Sequence, residues 1–300
     1  MTDRIVPEVG IHRDVDFEEY LNWDAINQSS LKIALKSPKK YKFGKAIEPT
    51  DAMPLGTLVH ATQLEPTKIH ERYAVLPPFE NGYYDGEEWI EEPCTKANGE
   101  PSSKPKQTGM YQQRVDAWWK ERGGVELVDR DWLDTADGMV RAMADDKQCR
   151  DCLVEGEKEV SIVWEYEGFL CKARIDNWQQ ERRRICDLKS TADIFGFAWS
   201  LKKWGYHIQA AFYADGIKAL TGEETEFWIA ACEKEMPYEC GAAPVDSKAV
   251  RLGRIQYREA LETIRKCEES GDWPGFESPA KWELAHDVTI LNVNGEEIAL

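Results

Sequence analysis

The alternation of polar and apolar positions changes rhythm near the middle of the chain. In the first half, helical spacing at Ser29–Lys36, Gly56–Leu64, Thr108–Lys120 and Arg130–Asp145 predicts helices. Ser29 is the expected N-cap of the first, and Pro38 is expected to stop it. Residues 76–105 are rich in Pro, Gly and acidic side chains, which predicts a long irregular segment of the kind that serves as a mobile loop at a site. The rhythm then shortens. Glu159–Tyr166 and Phe169–Asp176 alternate like strands, Glu167-Gly168 between them reads as a tight turn, and Arg184–Ser190 reads as a third short strand. Helical patterns return at Ala192–Lys202 and Tyr206–Leu220. A strand fits Glu226–Glu233, a long helix fits Ser247–Ser270, and Asn294-Gly295 suggests a terminal hairpin. This order predicts an α/β (or α+β) fold with a mixed central sheet flanked by helices and an N-terminal helical region.

The expected organisation is an extension at 1–28, one domain at 29–276 and a tail at 277–300. Within the domain, residues 29–150 form the helical part and residues 155–276 the sheet with its helices.

Composition narrows the class. The chain has 300 residues and is 42% apolar, enough for a substantial core. Its 12 Trp and 11 Tyr exclude general disorder. No apolar run approaches the ~18 residues a membrane span needs. Residues 1–10 lack an apolar signal core. The resulting expectation is a cytoplasmic protein with no membrane partner. The eight cysteines are expected as reduced thiols. Cys149 and Cys152 make a lone CxxC without a second pair at ligand spacing, so no zinc site and no iron–sulfur cluster is expected.

The net charge of −17 opposes nucleic-acid binding, because phosphate affinity comes from Lys and Arg. Binding depends on a local patch rather than the average, however. Acidic runs lie at Asp85–Glu92 and Glu223–Glu226, and basic ones lie elsewhere, at Lys32–Lys45, Arg182–Arg184 and Lys202–Lys203. Composition alone favours a soluble acidic protein with solvated faces.

The chemistry emerges from strand geometry. If Phe169–Asp176 and Arg184–Ser190 form a hairpin, a register that sets Asp176 opposite Asp187 centres the turn between Glu181 and Arg182. Alternation puts Lys172, Arg174 and Asp176 on one face, and Asp187 with Lys189 on one face of the next strand. Two carboxylates and an ammonium then converge. Carboxylates so close repel unless a cation lies between them, and hard oxygen donors suit magnesium or manganese. A lysine beside them can hold an attacking water or stabilise an anionic transition state. That set suits phosphodiester hydrolysis, although Asp-x-Lys alone also describes an ordinary surface hairpin.

Five short motifs in order carry a resemblance. Ile185-Cys186-Asp187-Leu188-Lys189-Ser190-Thr191 is similar to the catalytic strand of PD-(D/E)XK nucleases, with Arg174-Ile175-Asp176 where the preceding aspartate belongs. Gln209-Ala210-Ala211-Phe212-Tyr213 resembles the QxxxY helix of the RecB-like branch, and Gly56-Thr57-Leu58-Val59-His60 its glycine-to-histidine helix. Ser30-Leu31 with Ser37-Pro38-Lys39-Lys40-Tyr41, and Trp273-Pro274-Gly275-Phe276, resemble the two ends of exonuclease VIII (RecE-type) nuclease domains.

The resemblance implies a PD-(D/E)XK restriction-endonuclease-like fold and a role for each matching residue. Asp176, Asp187, His60 and the Leu188 backbone carbonyl would hold a metal, Mg2+ or Mn2+, with Glu159 as a further acid among Glu155, Glu157 and Glu159. Lys189 would position the nucleophile. Gln209 and Tyr213, one turn apart, would arrange the site. Lys202, Lys203 and Arg174 are candidate DNA contacts.

The implied activity is digestion of linear double-stranded DNA from its ends, 5′ to 3′. It leaves 3′ single-stranded tails for homologous recombination. The implied partners are DNA ends, further copies of the chain in a trimeric or tetrameric ring, and a single-strand annealing recombinase. A bacterial or phage origin is implied likewise. A structure-specific endonuclease of the same fold and a non-catalytic acidic DNA mimic are the alternatives. His207 is expected to be a neighbour of the site. Trp118, Trp119, Trp199 and Trp204 are expected in the core rather than as base-stacking platforms.

Overall fold

The computed structural model describes residues 5–44, 52–96, 98–122, 124–276, 290–293 and 296–299. Its first part contains β1 (Gly10–His12), α1 (Phe17–Asn22), α2 (Gln28–Lys36), α3 (Pro38–Phe43), α4 (Ala52–Leu64) and α5 (Ile69–Arg72). Then come β2 (Tyr73–Ala74), β3 (Gly82–Asp85), β4 (Glu88–Glu91), α6 (Gly109–Glu121), β5 (Glu126–Leu127), α7 (Arg130–Asp145) and α8 (Lys147–Leu153). The central strands are β6 (Glu157–Tyr166), β7 (Phe169–Gln179) and β8 (Arg184–Thr191), followed by α9 (Phe197–Lys203) and α10 (Tyr206–Thr221). β9 (Glu226–Glu233), β10 (Cys240–Pro244), α11 (Ser247–Ser270), β11 (Ile290–Val293) and β12 (Glu296–Ala299) complete the order.

Six strands form the main sheet in the order β1-β6-β7-β8-β9-β10. Only β8 and β9 pair in parallel, so the sheet is mixed, and α9 and α10 make the crossover that a parallel pair requires. One face packs on α2, α10 and α11 through Leu31, Ile162, Ile175, Ile185, Phe212, Tyr257 and Leu261. The other packs on α4, α7 and α8 through Leu58, Met139, Met143, Cys186 and Leu188. Helices therefore cover both faces, as the pattern predicted. Where α11 crosses α10, a Cβ on Gly253 would lie 2.0 Å from the His207 carbonyl oxygen, so only glycine admits the contact.

Several expectations need correction. Asn27, not Ser29, caps α2, accepting the Ser30 N–H at 2.9 Å. Pro38 follows that helix but opens a new one, α3, capped by Ser37. The segment 76–105 is not merely irregular. It holds the β3–β4 hairpin, buries Phe79 and Cys94, and is clamped by Arg114, which donates to the Phe79 and Glu92 carbonyls at 3.0 and 2.8 Å. The helix expected from Ala192 begins only at Phe197, because Thr191 and Asp193 form a side-chain-bonded turn ahead of it.

Residues 5–28 of the N-terminal extension pack on the domain. β1 pairs antiparallel with β6, and the buried Lys172 ammonium donates to the Tyr20 and Trp23 carbonyls. Trp118 is buried, but Trp199 and Trp204 are 78% and 53% exposed, so these two are surface residues. β11 and β12 do pair antiparallel, while Asn294 and Gly295 between them lie outside the described residues. The cysteines are free thiols, all buried except Cys240. Among the described residues no helix is long and apolar enough to cross a membrane.

Candidate active site

The site forms where the sheet ladder breaks. β6 and β7 pair at Lys158–Asn177 and again at Val160–Ile175, but skip Glu159 and Asp176 between them. Glu159 adopts a φ of 54°, rare for a residue with a side chain, at that gap. On the other side, β7 and β8 pair at Asn177–Cys186 and stop before Asp176 and Asp187. That register is the one expected from the hairpin. Released from the ladder, the Leu188 N–H donates instead to Asp176 Oδ2 at 2.8 Å. Three adjacent strands thus bring Glu159, Asp176 and Asp187 to one break in the sheet.

His60 enters from α4. Its Nε2 lies 2.9 Å from the Leu188 carbonyl, which can only accept, so Nε2 carries the proton. Nδ1 then turns a lone pair toward Asp176 Oδ2 at 3.5 Å. Two acceptors facing each other call for a proton or a metal cation between them. His60, Glu159 and Asp176 each offer an atom, and all three atoms lie within 4.8 Å of one another. Two carboxylates and one imidazole fit a divalent cation. The second lone pair of the Leu188 carbonyl adds a possible donor.

The electrostatics agree. Burial, reinforced by the charge of Asp187, pushes the Asp176 carboxyl up to about 7. Burial and the neighbouring Asp176 also raise Glu159, against the pull of Arg174. Burial and the Lys189 charge lower His60, which keeps the ring neutral and able to bind metal.

Asp187, expected beside Asp176 as a metal ligand, stands outside the group of three and is held differently. Its side chain is 2% exposed, against 13% for Asp176, 19% for Glu159 and 32% for His60. Gln209 Nε2 donates to its Oδ1 at 2.6 Å, and its Oδ2 faces the Lys189 ammonium. Burial disfavours that ammonium, but the Asp187 and Asp176 charges outweigh it and raise its pKa. Tyr213 lies one turn beyond Gln209 on α10 and packs edge-on against Phe227. Gln209 and Asp187 therefore form a chain ending at Lys189.

Asp176, Asp187, Lys189, His60, Gln209 and Tyr213 come together as the sequence motifs order them, and of the three upstream acids only Glu159 joins them. Glu155 pairs with Arg182, and Glu157 with Arg13 and Gln180. Arg174 is committed to Glu159 and to the Val15 carbonyl, with its side chain 9% exposed. This placement makes it a support for Glu159 rather than a surface DNA contact. Lys202 and Lys203 are exposed at the end of α9. His207 is a buried neighbour, bonded to the Leu201 carbonyl and to Gln256.

Two residues escaped the sequence reading. Tyr206 lies with its ring 5.1 Å from Lys189 Nζ, and Lys32 reaches the same corner from α2. Lys32 stood in a recognised basic run, but nothing in its spacing set it apart.

Comparison with known proteins is consistent with this geometry. The family model described as "PDDEXK-like domain of unknown function (DUF3799)" matches residues 28–278. A crystal structure from Eubacterium rectale, of a protein named as a candidate exonuclease, superposes with a TM-score of 0.58 at 16% identity. The match covers 93% of this chain and 97% of that one, and shows the fold. A phage-related exonuclease from Haemophilus somnus 129PT matches 58% of this chain and 92% of its own at 15% identity, with a TM-score of 0.29, too low for any argument. No curated protein matches the chain.

Proposed function

Because the chain belongs to the PDDEXK-like family DUF3799, we propose that it is a magnesium-dependent exodeoxyribonuclease acting on linear double-stranded DNA. The observation that carries this reading is the break in the sheet. There His60, Glu159 and Asp176 bring one ligand atom each within 4.8 Å of the others, with the Asp187–Lys189 pair on the neighbouring strand. A divalent cation bound there would supply charge neutralisation of the phosphate and acidify a water.

The chain's own groups do the rest. Gln209 fixes the Asp187 carboxylate, which in turn holds Lys189 protonated and in place. The Lys189 ammonium orients the attacking water and offsets charge that grows on the phosphate oxygens. The Leu188 N–H holds Asp176, and the Leu188 carbonyl fixes the His60 ring so that Nδ1 faces it. Arg174 fixes Glu159.

Action from an end, 5′-to-3′ polarity, the product with a 3′ single-stranded tail, assembly as a ring and an annealing-recombinase partner rest on the resemblance to exonuclease VIII-type domains. The test is digestion of linear duplex DNA labelled separately at each end, beside a covalently closed circle, with and without magnesium. Magnesium-dependent loss of the 5′ label first, with the circle intact, is expected. Cutting of the circle would replace this reading with an endonuclease, and no digestion of either substrate would refute it.

A further inference from the structure

Lys32 is the cation at this site to which the chemistry above gives no task. It lies in the middle of α2 and is half-buried, whereas Lys36, Lys39 and Lys40 farther along the chain are exposed. Its Nζ donates to the Trp204 carbonyl at 2.9 Å. Its stem runs across Gly205, where a Cβ would fall 2.6 Å from Lys32 Cδ. One residue on, the Tyr206 ring lies 5.1 Å from Lys189 Nζ. The two ammonium groups therefore flank one short segment, Trp204 to Tyr206, at the junction of α9 and α10.

Their surroundings differ. Lys189 has the Asp187 carboxylate against it. Among the described residues, no carboxylate lies within ion-pair distance of Lys32, and its hydrogen bond goes to a neutral carbonyl. Burial and the like charge of Lys189, opposed by the more distant charge of Asp187, push Lys32 down to about 8. An ammonium has three donors and, among the described residues, this one uses one, so Lys32 can take an anion without releasing Trp204. Exposed Lys202 and Lys203 continue the positive surface outward, with Lys203 Nζ 5.0 Å from the Trp204 ring.

We infer that Lys32 is a phosphate-binding residue that holds a non-scissile phosphate of the strand whose neighbouring phosphate lies against Lys189. This rests on the nuclease reading and adds a second anchoring point to it. A phosphate entering beside Lys32 gains a charge-assisted hydrogen bond and relieves the repulsion between the two lysines. One anchor fixes a position; two fix the direction of the strand through the cleft.

The test is binding of a labelled linear duplex oligonucleotide in calcium, read as affinity against salt concentration, for the wild type, Lys32→Gln, Lys32→Arg and the exposed control Lys36→Gln. Loss of one phosphate contact lowers the log–log salt slope by about 0.7–0.9 and weakens binding at low salt by about tenfold. Lys32→Gln should show both effects, Lys32→Arg should recover most of the slope, and Lys36→Gln should match the wild type. An unchanged slope in Lys32→Gln overturns the inference, whatever happens to turnover.

Amine labelling of the wild type, read by mass spectrometry, applies even if Lys32→Gln does not fold. The oligonucleotide should protect Lys32, and equal labelling with and without it overturns the inference. If the wild type binds no DNA at all, the nuclease reading fails together with this one. If it binds with a slope indifferent to Lys32, only this one fails.

Discussion

The two sides of the site are built on different plans. The outer side, His60, Glu159 and Asp176, draws one residue from each of three elements and stays partly open. The inner side, Asp187, Lys189, Gln209 and Tyr213, comes from one strand and one helix, and Asp187 is bonded to both Gln209 and Lys189. One residue type serves both sides. Asp176 is pushed toward holding a proton and so lies ready for a cation, whereas Asp187 is already committed to Lys189. Environment rather than chemistry assigns their tasks.

The largest effect should come from the inner side. Lys189→Gln is expected to lower turnover by about 10²–10³-fold at saturating metal, by analogy with the loss of a preorganised charge donor. Initial rates of DNA digestion report it, with circular dichroism showing the fold retained. Rescue of this variant by excess metal would erase the distinction between the sides.

His60→Ala belongs to the outer side. It should weaken metal affinity by at least about tenfold, in the range seen when a metal's supporting shell is disturbed. Metal titrations of activity read it, and excess magnesium or manganese should restore most of the rate. Gln209→Leu should do the reverse, costing turnover by about tenfold with metal affinity close to wild type. Equal losses of metal affinity in both variants would merge the two sides into one.

The smallest effect is one of pH. The folded metal-free protein holds a proton on Asp176 up to about pH 7, whereas the unfolded chain loses it near about 4. Stability from this group is therefore full at low pH and falls as pH rises through about 7. Metal must displace that proton, so the rise in melting temperature on adding calcium should be larger at pH 8 than at pH 5.5. An equal rise at both would remove Asp176 from the metal site.

The sheet and the inner side were largely legible in the sequence. A short polar turn sets the β7–β8 register, and once that is fixed alternation brings Asp176, Asp187 and Lys189 together. The i, i+4 spacing of Gln209 and Tyr213 likewise puts both on one helix face. The outer side was harder to read. Which of Glu155, Glu157 and Glu159 reaches the site depends on where Arg182, Arg13 and Arg174 lie, and no local pattern records that. The edge strands β1 and β10 are only 3 and 5 residues long, too short for periodicity to signal. Lys32 acquires its meaning from Trp204 and Gly205, which lie far from it in sequence.

The most direct test of the two-sided site is an anomalous-scattering map of crystals grown with manganese. A peak coordinated by His60, Glu159 and Asp176, with Asp187 still bonded to Gln209 and Lys189, is the expected result. Manganese bound elsewhere, or bound only after Asp187 has left Lys189, would contradict it.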